Sequence, residues 1–84
     1  MMQNKDELLE VVIGIIKQNL DSTQEISPDE QLLESGLIDS LSILQIYLAI
    51  QSETGADLDV GDITEETFAT AQTITNLVDS RLST

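Results

Sequence analysis

We expect the chain to form a single all-α domain, a small bundle of three main helices plus one short helix, with a long first loop. Three observations predict this fold class. The chain has 84 residues, the size of one small domain. Hydrophobic residues make up 40% of it, which is enough for a packed core. Three segments repeat apolar residues at spacings of three and four, the period of a helix with one buried face.

The first segment predicts a helix from about Lys5 to Leu20. Its apolar residues share one broad face: Leu8, Leu9, Val12, Ile13, Ile15, Ile16 and Leu20. Acids lie in its opening turns and Lys17 in its closing turn, which suits the helix dipole. The apolar run from Val11 to Ile16 is too short to span a bilayer, and the acids before it argue against a signal peptide. These flanks also disfavour a strand here.

A long connection follows, from Asp21 to Asp39. Loops of this length in compact domains are usually functional or contain structure. We expect four apolar residues to fold back on the core: Leu32, Leu33, Leu37 and Ile38. Ser27 can cap a short helical turn over residues 28–33, because Pro28 suits the first helical position. Gly36 ends this segment, since glycine best tolerates a positive φ.

The second helix is predicted from Ser40 or Leu41 to about Glu53, with Gly55 as its stop. At about 100° per residue, one stripe contains Ile43, Ile46, Tyr47 and Ile50. A second stripe beside it, called the leucine stripe below, contains Leu41, Leu44 and Leu48. Glu53 is the only charge. Either the helix is nearly enclosed, or the leucine stripe is a partner surface, because large exposed apolar patches usually mark interaction sites.

The segment after Gly55 is predicted to contain one short helix and the last long helix. Residues 57–62 look at first like a calcium loop, but Gly61 and Asp62 stand at the wrong positions of that pattern, so we interpret these acids as solvated. Residues 63–68 favour a short third helix capped by Asp62. Thr70 is a good cap for a last helix from Ala71 to about Leu82.

Charge and composition exclude several function classes. The chain has 3 Lys plus Arg against 16 Asp plus Glu, a formal charge of −13, which disfavours nucleic acid and anionic lipid and favours basic partners. Without Cys or His, it lacks the usual nucleophile, general base and soft metal ligands. Glu65 and Glu66 point apart on a helix, so a free-standing enzyme is the least favoured hypothesis. We expect a cytoplasmic monomer that does not insert into membranes.

The segment Gly36-Leu37-Ile38-Asp39-Ser40-Leu41 is the most informative motif. From the residues alone, Asp39 or Ser40 is an N-cap of the second helix. One hypothesis is therefore an acidic helical interaction module without a prosthetic group, in which Ser40 only caps and the leucine stripe binds a partner helix. It predicts that Ser40→Ala costs about 0.5–2 kcal/mol of stability.

This motif, Gly55 and the order of long helix, long loop, helix, short helix and helix resemble the acyl and peptidyl carrier protein family. The resemblance covers essentially the whole chain. It implies that Ser40 carries covalent phosphopantetheine, transferred from coenzyme A by a phosphopantetheinyl transferase. Asp39 would be an adjacent recognition or structural residue. An adenylating ligase and a downstream acyl- or aminoacyl-accepting enzyme would be the other partners, and the carrier itself would not be catalytic.

Two residues separate Gly36 from the Asp-Ser pair, as in the Gly-Leu-[Leu/Ile]-Asp-Ser pattern of D-alanyl carrier proteins, whereas fatty-acid carriers commonly have one. The second helix also lacks the several acidic residues that fatty-acid carriers have there for their basic partner enzymes. The resemblance thus favours an aminoacyl carrier whose docking surface is the leucine stripe. The alternative is an acyl carrier for polyketide or fatty-acid-type synthesis, and the resemblance also suggests natural-product biosynthesis as a pathway. A long acyl chain would need a cavity, for which the natural linings are Ile46, Ile50, Ile63 and Phe68.

Overall fold

The computed structural model describes residues 4–20 and 25–82. It contains helix α1 (Lys5–Leu20), helix α2 (Ser40–Thr54), a short 3-10 helix (Val60–Asp62) and helix α3 (Ala71–Leu82), and these described residues include no strand. Helix α1 packs against both α2 and α3. The all-α class and the three main helices are therefore confirmed, with α2 running to Thr54.

Helix α1 forms the centre of the bundle because one of its faces is wholly apolar. The side chain of Asn4 accepts the N–H of Glu7 (2.8 Å) and so caps the first turn. Acids follow in that turn, and Lys17 lies in the last one, as the helix dipole favours. The face that packs against the other helices consists of Leu8, Val12, Ile15 and Ile16.

The buried side chains form one hydrophobic cluster to which every main helix and both long connections contribute. Helix α2 adds Ile46, Tyr47 and Ile50, and α3 adds Ala71, Ile74 and Val78. The connections add Ile26, Leu32, Ile38, Ala56, Leu58 and Phe68. Burial of loop residues explains how a chain of this length encloses a core: the first loop covers an edge of the bundle that three helices leave open.

The first loop folds back on the core as predicted. Leu32 is fully buried and Ile38 nearly so, while Leu33 and Leu37 are half-buried against the same cluster. The Leu32 N–H donates to the carbonyl of Ala69 (2.8 Å), which joins this loop to the segment before α3. Gly36 has φ +81, the left-handed conformation predicted for it.

The short helical turn predicted over residues 28–33 is not a helix. The structure has a hydrogen-bonded turn in which the Glu30 N–H donates to the Ser27 carbonyl (3.2 Å), and a second turn over residues 32–36. The Ser27 hydroxyl donates to the carboxylate of Asp29 (3.1 Å) instead of capping a helix. A local side-chain partner thus competes with helix formation.

Helix α2 ends at the predicted glycine. Gly55 has φ +75, and its N–H donates to the carbonyl of Gln51 (3.0 Å), which closes the last turn. The Thr54 hydroxyl donates to the Ile50 carbonyl (2.7 Å) and accepts the N–H of Ala56 (3.1 Å). The chain therefore reverses within two residues and returns along α2.

The short helix occurs earlier than predicted, at Val60–Asp62 instead of residues 63–68. Residues 64–68 form one turn because two threonines bind the backbone. The Thr64 hydroxyl accepts the Thr67 N–H (3.1 Å), and the Thr67 hydroxyl accepts the Thr64 N–H (3.1 Å). The Phe68 N–H donates to the Thr64 carbonyl (3.1 Å), so this segment is a single helical turn that does not continue. The all-α fold class is confirmed, but the short helix lies earlier in the chain than predicted and contains three residues.

Helix α3 begins at its predicted cap. The Thr70 hydroxyl accepts the N–H of Thr73 (3.0 Å), and the Thr73 hydroxyl in return accepts the N–H of Thr70 (3.0 Å). The Gln72 N–H, which has no partner inside the helix, donates to the carbonyl of Pro28 (2.9 Å). The first loop thus also stabilises the start of α3.

No helix within residues 4–20 and 25–82 has the length and apolar character needed to cross a membrane.

Candidate functional site

The N-terminus of α2 is capped by Asp39. This residue is extended (φ −125, ψ −172), its carbonyl accepts the first helical hydrogen bond from Ile43 (2.9 Å), and its Oδ1 accepts the N–H of Ser42 (2.9 Å). Those are the backbone conformation and the bonds of an N-cap. Of the two caps considered from the sequence, the structure selects Asp39, so Ser40 is the first residue within the helix.

The Asp39 carboxylate is held in its charged form. The Ser42 N–H, and next the Ser42 hydroxyl, donate to it and lower its pKa below the ordinary value of 3.8. The positive end of the helix dipole favours the same charge. The carboxylate therefore serves the helix terminus, which gives Asp39 a structural function beside Ser40.

Ser40 presents a free hydroxyl on the surface. Its residue is exposed, and its hydroxyl makes no hydrogen bond to any part of the chain that the structure describes. A capping serine would use its oxygen to accept an N–H from its own helix. The interpretation of Ser40 as merely a cap is therefore wrong, because Asp39 has that task.

The residues before Ser40 fix it to the core. Ile38 is only 3% exposed, and its N–H donates to the carbonyl of Leu32 (3.2 Å). Leu32 is itself tied to Ala69 through its own N–H. Ser40 thus stands two residues from a buried anchor, so its exposed hydroxyl rises from a rigid base.

The two stripes of α2 meet different environments. Ile46 and Ile50 are 0% exposed and Tyr47 is 7% exposed, with Ile43 half-buried beside them. In the leucine stripe, by contrast, Leu41 is 64%, Leu44 47% and Leu48 55% exposed. The leucine stripe begins at the residue next to Ser40 and runs about 10 Å along the helix, at 1.5 Å per residue. The helix is not enclosed, so a solvent-facing apolar stripe adjoins the free hydroxyl.

An attached phosphodiester fits this terminus. The first-turn N–H groups and the helix dipole favour an anion at the N-terminus of α2. The nearest carboxylate, that of Asp39, is already bound to Ser42. Helix α2 has no acid in its first turn. The fit therefore rests on one hydroxyl oxygen, exposed at the positive end of a helix.

Val60 is a further exposed apolar residue, which the sequence reasoning missed. It lies in the 3-10 helix and is 70% exposed, more than any member of the leucine stripe. In the sequence, Val60 is a single apolar residue between loop acids and belongs to no periodic pattern, so nothing indicated its exposure. Within the described ranges, no group of three or more Asp, Glu, His or Cys side chains is arranged to hold a metal ion.

Comparisons with known proteins agree with this geometry. The family described as "Phosphopantetheine attachment site" matches residues 9–80. A D-alanyl carrier protein from Enterococcus faecalis is 32% identical over 73 residues, which are 84% of this chain and 92% of the relative. One from Bacillus velezensis is 27% identical over 75 residues, 89% of this chain and 92% of the relative. No solved structure gives a significant match.

The matched residues run from within α1 to within α3 and include all of α2, with the exposed serine at its start. Its members carry phosphopantetheine covalently and have no catalytic activity of their own. The chain therefore belongs to the family of phosphopantetheine-bearing carrier proteins and is close to the D-alanyl carrier proteins.

Proposed function

We propose that Ser40 is the attachment residue and that the protein carries an aminoacyl group, D-alanine in the first instance, from an adenylating ligase to an acceptor enzyme. The observation that supports this most directly is the free, exposed hydroxyl of Ser40 in the first turn of α2. Attachment leaves the cap intact, because Asp39 and not Ser40 satisfies the Ser42 N–H.

The modification is a phosphoryl transfer onto Ser40. The hydroxyl oxygen forms a bond to the phosphorus that bears pantetheine in coenzyme A, its proton passes to a base on the transferase, and adenosine 3′,5′-bisphosphate leaves. When attached, the group supplies a terminal thiol that holds the cargo as a thioester. The chain's own contribution is to fix Ser40 through Ile38 and to offer an anion a helix N-terminus.

The cargo proposal rests on the two relatives and on α2. Both relatives are named D-alanyl carrier proteins. Glu53 is the only charged residue in α2, so this helix does not offer the row of acids that the basic partners of fatty-acid carriers use. Three of the four side chains expected to line an acyl cavity, Ile46, Ile50 and Phe68, are 0% exposed and part of the packed core, and the fourth, Ile63, is half-buried against it. A small aminoacyl group needs no such cavity.

Docking of these partners is assigned to the leucine stripe. Leu41, Leu44 and Leu48 are the only large apolar side chains of α2 that face solvent, and they adjoin the attachment residue. An enzyme that modifies the Ser40 hydroxyl has to approach next to this surface, because Leu41 adjoins Ser40. Because the partners draw on coenzyme A and ATP, we place the carrier in the cytoplasm.

Intact-mass measurement tests the attachment residue. The protein is incubated with coenzyme A and a broad-specificity phosphopantetheinyl transferase, and we expect complete addition of one phosphopantetheine to the wild type and none to Ser40→Ala. Ser42→Ala is the matched control, because it removes a neighbouring hydroxyl and should be modified fully. Addition to Ser40→Ala would overturn the assignment.

The stability of Ser40→Ala distinguishes this proposal from the hypothesis of an interaction module without a prosthetic group. Since Ser40 makes no capping bond, Ser40→Ala should leave the free energy of unfolding unchanged within about 0.5 kcal/mol. A loss of about 1–2 kcal/mol would show that the serine caps the helix after all.

Cargo is tested on the modified protein. A purified D-alanine-activating ligase with ATP should add one D-alanine to the holo form and none to the unmodified form. Transfer of a long-chain or malonyl group at a higher rate than D-alanine would favour the acyl-carrier alternative.

A further inference from the structure

A cleft of about 300 Å³ lies between the first loop and the segment before α3. Its lining combines two apolar side chains, one amide and two carboxylates: Leu33, Ala69, Gln31, Glu34 and Glu65. That volume is at the small end of the range for ligand sites in proteins. The cleft is therefore suited to a small group that has an apolar body and a positively charged end.

The two walls of the cleft are fixed to each other by the backbone. The Leu32 N–H donates to the carbonyl of Ala69 (2.8 Å), and the Leu32 side chain is 0% exposed. The Ser35 N–H donates to the carbonyl of Gln31 (2.9 Å) and closes the turn that forms the first wall. The turn over residues 64–68 forms the second wall. Because the cleft is already formed, a ligand can bind with little rearrangement of the backbone.

Nothing in the described ranges neutralises the two carboxylates of the cleft. Glu34 and Glu65 are exposed, and neither makes a hydrogen bond or an ion pair with the rest of residues 4–20 and 25–82. The ion pairs of Lys17 and Arg81 use other carboxylates. A positive group that enters the cleft therefore meets two unpaired negative charges, and their combined attraction exceeds that of one exposed ion pair.

The cleft lies within reach of a group attached to Ser40. The Ile38 N–H donates to the carbonyl of Leu32 (3.2 Å), and Leu33 is the next residue of the chain. The bonds along this path place the Cα of Leu33 within about 19 Å of the Cα of Ser40. An aminoacyl-phosphopantetheine has about 19 bonds between that Cα and its ammonium nitrogen, which span roughly 23 Å when extended. The end of the attached group can therefore enter the cleft.

We propose that the cleft binds the terminal ammonium of the aminoacyl group that this carrier bears, with Glu34 and Glu65 paired to the charge and Leu33 and Ala69 against the short carbon chain. The inference rests on the proposed function, since only an aminoacyl group on Ser40 brings an ammonium here. A short flexible tether gives an effective concentration in the millimolar range. Weak pairing of exposed charges is then enough to populate the bound form.

Such a site distinguishes aminoacyl from simple acyl cargo. A propionyl group has the same carbon chain as an alanyl group but lacks the charge, so the cleft offers it no ion pair. A basic side chain of a partner enzyme carries the same charge as the ammonium, but it reaches the cleft only within a complex. The tethered cargo is present throughout transport, which makes it the favoured occupant.

The test compares two cargoes on isotope-labelled protein by NMR. A coenzyme A analogue with an amine in place of its thiol forms a stable amide, so the transferase can attach arms that end in D-alanyl or propionyl without a ligase. We expect the backbone amide signals of residues 31–34 and 65–69 to differ between the two forms. The difference should shrink at about 1 M salt, where charges are screened beyond about 3 Å.

Two variants remove one charge each and keep the shape of the side chain: Glu34→Gln and Glu65→Gln. Each should lower the binding constant of the ammonium about two- to fivefold, seen as a smaller difference between the two cargo forms. The double variant should abolish the difference. Glu66→Gln is the matched control, because Glu66 is also exposed, adjoins Glu65 and does not line the cleft. It should leave the difference unchanged, and the rest of each spectrum shows that the variant is folded.

Equal signals from residues 31–34 and 65–69 in the two cargo forms, or an equal loss in Glu66→Gln, would overturn the inference while Ser40 modification stands. Equal signals together with a higher KM of the ligase for Glu34→Gln would also overturn it, and would assign the cleft to a basic side chain of that partner. Failure of the wild type to gain mass with coenzyme A would instead overturn the proposed function. Failure of the ligase to charge the modified protein would overturn the proposed cargo, and it is seen separately because the analogues are attached without the ligase.

Discussion

The two faces of α2 are built from similar residues and have opposite surroundings. Ile46 and Ile50 are completely buried, whereas Leu44 and Leu48, two residues along the chain, are about half exposed. Burial of the first pair stabilises the fold by the transfer of apolar surface from water. The second pair gains nothing comparable in the isolated chain. Hydrophobic content alone therefore does not identify core residues, and the angular position around the helix does.

The largest expected difference between the two faces is in the free energy of unfolding after one side chain on each face is truncated. Ile50→Ala should lower the free energy of unfolding by about 2–5 kcal/mol, since it leaves a cavity beside α1. Leu48→Ala should change it by no more than about 0.5 kcal/mol. Denaturant unfolding of both variants measures the difference. Equal losses would show that the leucine stripe is part of the core.

A charge placed in the leucine stripe tests the same comparison through binding of the phosphopantetheinyl transferase. Leu44→Glu should raise the KM of the phosphopantetheinyl transferase about tenfold, because binding then buries a carboxylate against an apolar face. Its stability should stay near that of the wild type. Gln18→Glu, at an exposed position of α1, adds the same charge elsewhere and should leave KM unchanged. A wild-type KM for Leu44→Glu would remove the leucine stripe from the docking surface.

The smallest expected effect concerns the cap that leaves Ser40 free. The pKa of Asp39 is lower in the folded than in the unfolded chain, so its charge contributes stability above the ordinary pKa of 3.8, and this contribution is lost as pH falls through the folded value. Asp39→Asn keeps a capping oxygen and cannot titrate. The difference in melting temperature between wild type and Asp39→Asn should therefore shrink as pH falls below about 4. A difference that is constant with pH would contradict the assigned charge.

The three main helices and the two stripes of α2 were predictable because each follows from local periodicity. The span of α1 and the two glycines with positive φ needed no tertiary information. The exposure of the leucine stripe did, since periodicity left open whether α2 is nearly enclosed. The choice between Asp39 and Ser40 as the cap also required the three-dimensional structure. Either side chain can accept an N–H, and only the backbone path decides which one reaches it.

Features that depend on contacts between distant residues were not predictable. The bond between Arg81 and Asp62 joins residues 19 positions apart. Neither the cross-link nor the exposure of Val60 has a signature in spacing, since both arise when the chain returns along α2 and meets the end of α3.

The exposed leucine stripe also bears on how copies of this protein behave in solution. An apolar strip of this kind would ordinarily pair with itself, and the formal charge of −13 opposes that encounter. Repulsion acts over about 8 Å at physiological ionic strength, close to the length of the strip itself. The acidity that disfavours nucleic-acid binding thus also opposes self-association of the protein. The leucine stripe therefore stays available to partner enzymes that are not themselves strongly acidic.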